Sequence, residues 1–332
     1  MPIGFYREAF DLVASVLGPV SHVTHAIQTN AMLVDAAWCR LFKQHAVRVG
    51  VSVDGPAELH DRHRRTRHGK GTHARVMRGL QHLREHDIAF HAIAVVTRDT
   101  LAHADAFFEF FRANGIHDLG CNFDEAEGAH IHSSLAGSEA AHASFLAQLM
   151  RRSIASDGRV VVRELASAWQ LVAQPLPQYA WRGRSWPVNA QVMPLALISV
   201  AWNGDFGTFS PELLGQRSLE FSDFVLGNVA DGGYVDGLQS AAMQRLWPAV
   251  AAGVEACERR CAYFAFCGGG APANKWFENA DFSSTETLYC RSMLQRPFDT
   301  VLSRLEHERA AAAHAEPAHV AQSGKPRTLD MA

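Results

Sequence analysis

Three consecutive stretches of the chain decide its fold: residues 47–53 read VRVGVSV, residues 73–86 read HARVMRGLQHLREH, and residues 88–97 read IAFHAIAVVT. The first and the third are apolar runs rich in β-branched residues, which predicts buried strands. The middle stretch repeats apolar side chains at helical spacing, which predicts an amphipathic helix. A strand, a helix and a second strand in this order predict a βαβ unit with parallel strands.

The same alternation extends to both sides of this unit. Residues 20–29 and 116–123 predict two further strands, and helical patterns lie between the predicted strands. Helices are needed around such a sheet because its strands are apolar on both faces. The first half of the chain therefore predicts a parallel α/β sheet or barrel with four strands.

Composition limits the class of protein. The 332 residues are 48% apolar and 20% charged, which excludes a largely disordered chain and allows about two domains. The net charge is −3 and no long run carries one sign, so nucleic acid is not an expected partner. No apolar run approaches the ~20 residues that span a bilayer, and the N-terminus lacks a signal-peptide pattern. We expect a cytoplasmic protein without a membrane partner.

The second half carries a cluster of cysteines with the spacing Cys257-x3-Cys261-x5-Cys267-x22-Cys290. In a reducing compartment, clustered cysteines are more often metal ligands than disulfides. Four thiolates suit either one tetrahedral zinc ion or one four-iron cluster, and the ligand type alone leaves both open. The loop-rich region around the cysteines predicts a small domain that depends on its metal for stability.

Two stretches carry a resemblance to a known family. Residues 257–291 (CERRCAYFAFCGGGAPANKWFENADFSSTETLYCR) resemble the C-terminal SPASM-type domain of radical S-adenosylmethionine (SAM) peptide maturases, and residues 49–100 resemble the middle of their partial (β/α)6 barrel. The resemblance runs from about residue 3 to about residue 300. It is closest to the cyclophane-forming maturases of glycine-rich-repeat peptide systems.

The resemblance implies an α/β fold: an incomplete (β/α)6 partial TIM barrel, with about four of six strands, followed by a SPASM-type iron–sulfur domain. The expected boundaries are 1–156 for the barrel, 157–185 for a connector, 186–310 for the auxiliary-cluster domain and 311–332 for a disordered tail.

The resemblance also implies cofactors. One auxiliary [4Fe–4S] cluster would be held by Cys257, Cys261, Cys267 and Cys290. A second auxiliary cluster would need a cysteine four residues after Cys267, where the sequence has Ala271. The family's Cys-x3-Cys-x2-Cys motif, which holds the primary [4Fe–4S] cluster that binds SAM, does not occur in this sequence. We therefore expect SAM and the primary cluster only if a missing N-terminal part is supplied.

Polar side chains at the ends of predicted strands match the family's later SAM contacts: Gln28, Asn30, Ser52 and Asp54. A hydroxyl and a carboxylate there can hydrogen-bond a ribose, whereas the alternative interpretation makes Asn30 and Asp54 simple turn residues. Asn122, Asp124 and Glu125 lie at the end of the last predicted strand. They either line a peptide channel or are solvated loop residues. No catalytic residue is identified from the sequence.

The resemblance implies a function. We expect a radical SAM peptide maturase that forms a cyclophane carbon–carbon cross-link in a ribosomally made precursor peptide, and that is not competent as this chain alone. In sulfatase-maturing relatives an acidic catalytic residue occupies the position of Ser210, which argues against sulfatase maturation. Two alternatives remain: a non-catalytic relative that binds a precursor peptide, and a zinc-stabilised binding module.

Overall fold

A parallel five-stranded sheet forms the first half of the protein. The computed structural model describes residues 2–315, with side chains described up to residue 311. The strands are β1 (Ala26–Thr29), β2 (Arg48–Ser52), β3 (Phe90–Val96), β4 (Asp118–Phe123) and β5 (Val161–Val162), and they are hydrogen-bonded in that order, each parallel to the next. The predicted α/β class with a parallel sheet is confirmed.

Two details of the sheet differ from the prediction. The first strand covers only 26–29 of the predicted 20–29, because residues 22–25 before it form no regular element. The fifth strand was not predicted. It lies in the expected connector and has only two residues, which is too short for a recognisable alternation of side chains.

Helices connect the strands and pack against the sheet. They are α1 (Ile3–Leu17), α2 (Ala36–Gln44), α3 (Ala57–His63), α4 (His73–Glu85), α5 (Arg98–Leu101), α6 (Ala104–Ala113), α7 (Glu139–Ala155) and α8 (Arg163–Ala173). The first core forms where alternate strand residues such as Val49 and Val51 meet apolar helix faces, including Leu80 and Phe107. A Cβ atom on Gly79 of α4 would lie 2.0 Å from the carbonyl oxygen of Ala31, so this helix approaches the backbone after β1 closely.

A second core lies in the cysteine-bearing half. Its strands are the hairpin β6 (Gln178–Trp181) and β7 (Arg184–Pro187) and the antiparallel sheet of β8 (Ile198–Val200), β9 (Asp205–Thr208) and β10 (Gly227–Asn228). Its helices are α9 (Ala241–Arg260), α10 (Phe264–Cys267) and α11 (Pro272–Asn279). Trp186, Phe206, Phe209 and Phe282 are buried in this core. The buried apolar residues of the described chain thus fall into two separate clusters.

The chain returns to the first core at its C-terminal end. A π-helical turn over Cys290–Gln295 leads into α12 (Arg296–Ala315), whose Phe298 and Val301 belong to the first core. This helix extends five residues into the segment that was expected to be a disordered tail, and residues 316–332 lie outside the described part. None of the helices in residues 2–315 combines the length and apolar character needed to cross a bilayer.

Candidate functional site

A polar surface lies on one face of the parallel sheet. Gln28 pairs in register with Gly50, which pairs with His91 on the next strand. A Cβ atom on Gly50 would lie 1.9 Å from Gln28 Oε1 and 2.6 Å from His91 Nε2, so glycine makes room for both side chains. The Gln28 amide donates a hydrogen bond to Ser52 Oγ at 3.1 Å. The structure therefore brings Gln28 and Ser52 together near the carboxyl ends of two strands.

Asn30 and Asp54 have different surroundings. The Asn30 side chain accepts a hydrogen bond from the backbone N–H of Met32 at 3.2 Å, as a turn residue does. Asp54 is buried, and its carboxylate accepts hydrogen bonds from Arg64 at 2.6 and 3.0 Å and from the Val95 N–H at 2.9 Å. A ribose hydroxyl at Asp54 would have to share these oxygens. A role in SAM binding stays a prediction for all four residues.

A cavity of about 220 Å³ lies between the end of β4 and the cysteine-bearing half. It is lined by residues from both halves of the protein: Asn122, Glu125, Glu127, Arg163, Gln191, Ser210, Glu212, Ala273, Asn274, Phe277, Tyr289 and Met293. Of the three residues expected at the end of this strand, Asn122 and Glu125 line the cavity. The carboxylate of Asp124 instead accepts a hydrogen bond from the Ser134 N–H at 2.6 Å and holds its loop.

Glu125 is the most perturbed carboxyl group of this cavity. Burial raises its pKa to about 7, and the negative charges of Glu127 and Glu212 act in the same direction. The amide of Asn274 on α11 donates a hydrogen bond to Glu125 Oε2 at 2.5 Å and opposes the shift. Glu125 can therefore exchange a proton near neutral pH, which is the property that acid–base chemistry requires.

The four cysteines come from neighbouring segments of the second half. Cys257 lies in the last turn of α9, Cys261 directly follows this helix, Cys267 ends α10, and Cys290 begins the π-helical turn. Burial raises the pKa of Cys267 to about 11, against the effect of the backbone N–H groups of Gly269 and Gly270. These glycines have φ angles of 110° and 75°, which residues with a Cβ atom rarely adopt.

The surroundings of the thiols fit a negatively charged group. The buried ammonium group of Lys275 donates hydrogen bonds to Cys257 Sγ at 3.3 Å and to the carbonyl oxygen of Gly253 at 3.1 Å. The hydroxyl of Thr287 donates to Cys290 Sγ at 3.2 Å. In residues 2–311, no group of three or more His, Cys, Asp or Glu side chains is placed to hold a single metal ion. A four-iron cluster is larger than one ion, so its thiolates stand further apart.

Two cysteines lie away from this site. Cys39 and Cys121 are both completely buried in the first core, as expected for core thiols. They stand on different elements, α2 and β4, and the sequence contains no three-cysteine motif. The residues of this chain therefore do not fit a primary cluster.

Comparison with known proteins identifies the family. A model of the Radical SAM superfamily matches residues 5–111. The chain is also 38% identical over 309 residues to the uncharacterized protein sll1766 of Synechocystis sp., an alignment that covers 91% of this chain and 75% of that protein. The chain belongs to the radical SAM superfamily. This membership implies SAM and [4Fe–4S] clusters as cofactors.

Further relatives of this radical SAM protein are maturases. The serine-type anaerobic sulfatase-maturating enzyme of Klebsiella aerogenes is 30% identical over 169 residues, which are 50% of this chain and 42% of that enzyme. The chain thus spans less than half the length of this curated relative. The solved structure of anSMEcpe with bound AdoMet shares the fold with a TM-score of 0.70 at 20% identity, covering 96% of this chain and 82% of that one.

A second solved structure of the same protein contains a peptide. It is described as native anSMEcpe with bound AdoMet and Kp18Cys peptide, and it shares the fold with a TM-score of 0.69 at 18% identity. The superposition covers 93% of this chain and 82% of that chain.

The sequence gives only a weak signal for the cavity of this radical SAM protein, because Asn274 and Tyr289 lie among the cysteines and belong to no motif of their own.

Proposed function

We propose that this chain is the peptide-binding and auxiliary-cluster part of a radical SAM peptide maturase that forms cyclophane cross-links in a ribosomally made precursor peptide. The observation that carries the proposal is the cavity between the sheet and the cysteine-bearing half, which contains the half-buried carboxyl group of Glu125, whose pKa is raised to about 7. Sulfatase-maturating enzymes among the relatives and the peptide in a structure of the same fold support it.

The reaction removes two hydrogen atoms from the peptide and joins an aromatic carbon to a neighbouring side-chain carbon. The radical that takes the first hydrogen would have to come from SAM on a primary cluster that the residues of this chain do not hold, and an auxiliary cluster held by the four cysteines would supply an acceptor for one electron. The second hydrogen leaves as a proton. Glu125 is the proposed acceptor of this proton, because it is the carboxyl group of the cavity whose pKa burial raises to about 7.

The remaining residues of the chain bind and orient. Cys257, Cys261, Cys267 and Cys290 would hold the auxiliary cluster through their thiolates. Gln28, Asn30, Ser52 and Asp54 are proposed contacts of SAM. No residue of this chain is assigned to a primary cluster, because the sequence contains no three-cysteine motif.

Iron analysis after anaerobic reconstitution with iron and sulfide tests the cluster. We expect about four irons per chain, as a single [4Fe–4S] cluster requires. Cys261→Ala should lose this iron, whereas Cys121→Ala, which removes a core thiol, should retain it. Bound zinc in place of iron would favour the zinc-stabilised module, and about eight irons would contradict a single cluster.

Peptide binding tests the substrate class. A fluorescent glycine-rich peptide with Phe, Tyr and Trp residues should bind the reconstituted chain more tightly than an 18-residue sulfatase-type peptide containing cysteine. The reverse order would favour sulfatase maturation. We expect no 5′-deoxyadenosine from this chain alone, because the three-cysteine motif is not in its sequence.

A further inference from the structure

Lys275 is a buried lysine beside a cysteine of the proposed cluster site. It lies on α11, its side chain is 1% exposed, and its ammonium group donates to Cys257 Sγ at 3.3 Å and to the Gly253 carbonyl oxygen at 3.1 Å. Within the described side chains, no carboxylate oxygen lies within 4.0 Å of this ammonium group, since none of the ion pairs there includes it.

A buried ammonium group without an anion is unfavourable. Taking such a charge out of water costs several kcal/mol, and a single carbonyl dipole offsets only part of this. Lysine is among the residues least often fully buried unless it is paired. Of the two described hydrogen-bond partners of the Lys275 ammonium group, the Cys257 sulfur is the one that can carry a negative charge.

Two glycines, Gly253 and Gly270, leave room for the side chain of Lys275. A Cβ atom on Gly253 of α9 would lie 2.1 Å from the carbonyl oxygen of Phe282 and 3.0 Å from Lys275 Nζ. A Cβ atom on Gly270 would lie 3.3 Å from Cys290 Sγ and 3.9 Å from Lys275 Cε. Glycines thus leave room for the lysine side chain, which passes between the segments that carry Cys257 and Cys290.

We propose that Lys275 is a positioning residue that donates a hydrogen bond to the Cys257 sulfur of the auxiliary cluster and raises the reduction potential of that cluster. This inference rests on the proposed function, in which the four cysteines hold a cluster. Reduction adds one negative charge to the cluster. A nearby positive charge and a hydrogen bond to a ligand sulfur both favour the reduced form, and burial strengthens them.

Potentiometric titration of the reconstituted full chain, followed by electron paramagnetic resonance, tests the proposal. Lys275→Met removes the charge and the donor with little change in volume, and should shift the midpoint potential to a more negative value with about four irons retained. Lys275→Arg keeps a positive donor and should restore most of the shift. Lys70→Met, at an exposed loop position, is the matched control and should leave the potential unchanged.

The outcomes separate this inference from the proposed function. If the wild-type chain binds no iron, both the cluster and the role of Lys275 are wrong. If it binds iron and Lys275→Met has the wild-type potential, only the role of Lys275 is wrong. If Lys275→Met does not hold iron, Lys275→Gln, which keeps a donor without the charge, is compared with Lys275→Arg. Equal potentials for these two variants would overturn the proposal.

Discussion

Replacing Glu125 by Gln should stabilise the fold at pH 8 and change it little at pH 5. Burial raises the pKa of this carboxyl group from 4.5 to about 7. Below pH 4.5 the group is protonated in both the folded and the unfolded chain. As the pH rises from 4.5 to 7, the unfolded chain loses the proton first, so the free energy of unfolding decreases. Glutamine is neutral throughout and avoids this loss.

The magnitude follows from the two pKa values. Each pKa unit corresponds to about 1.4 kcal/mol, so a fully buried group would lose about 3 kcal/mol by pH 8. Glu125 is partly exposed, and solvent screening reduces this to about 1.5 kcal/mol at pH 8 and less than about 0.5 kcal/mol at pH 5. The hydrogen bond from Asn274 is retained, because a glutamine carbonyl oxygen accepts it equally well.

Urea unfolding of the anaerobically reconstituted chain in a thiol reductant measures the difference. Wild type, Glu125→Gln and the control Glu306→Gln, at an exposed position of α12, are compared at pH 5 and pH 8. The control should match the wild type at both values. A gain for Glu125→Gln that is the same at pH 5 and pH 8, or a loss of stability at pH 8, would refute the reasoning from burial.

Two further predictions concern stability. Gly79→Ala should lower the free energy of unfolding by about 2 kcal/mol in urea, because its Cβ atom meets a backbone oxygen at 2.0 Å, whereas Gly4→Ala has no atom within 4 Å and should change little. Asp54→Asn should lower it by about 3 kcal/mol, since it leaves Arg64 without its buried partner. Asp99→Asn, which breaks a half-exposed ion pair, should lower it by less than about 1 kcal/mol, and equal losses for Asp54 and Asp99 would contradict this account.

The parallel sheet could be predicted because its physical cause is visible locally. Strands β2 and β3 are buried on the helix side and carry β-branched residues, and α4 between them shows a clear apolar face. The position of β5 could not be predicted. Its two residues belong to the sheet because they pair with Asp118 and Leu119 of β4. This pairing joins distant parts of the chain, so the local sequence does not reveal it.

In the candidate site, the cysteine cluster could be predicted from the sequence, whereas the roles of Lys275 and Glu125 could not. Cysteine spacing predicts a shared thiol site, because four thiols within 34 residues of one loop-rich segment are close to one another in the chain. Nothing in the sequence distinguishes Lys275 from a surface lysine, since its burial depends on the contact between α9 and α11. In the sequence Glu125 has the features of a solvated loop acid, because the residue that contacts its carboxylate, Asn274, belongs to the second half of the protein.

The return of α12 to the first core has a consequence for synthesis on the ribosome. Phe298 and Val301 leave the exit tunnel after every residue of the second core and after the last of the four cysteines. During translation, the nascent sheet therefore waits with one side of its core uncovered while the thiol-bearing segments are already outside. The core of the sheet is therefore completed only after all four cysteines have been synthesised.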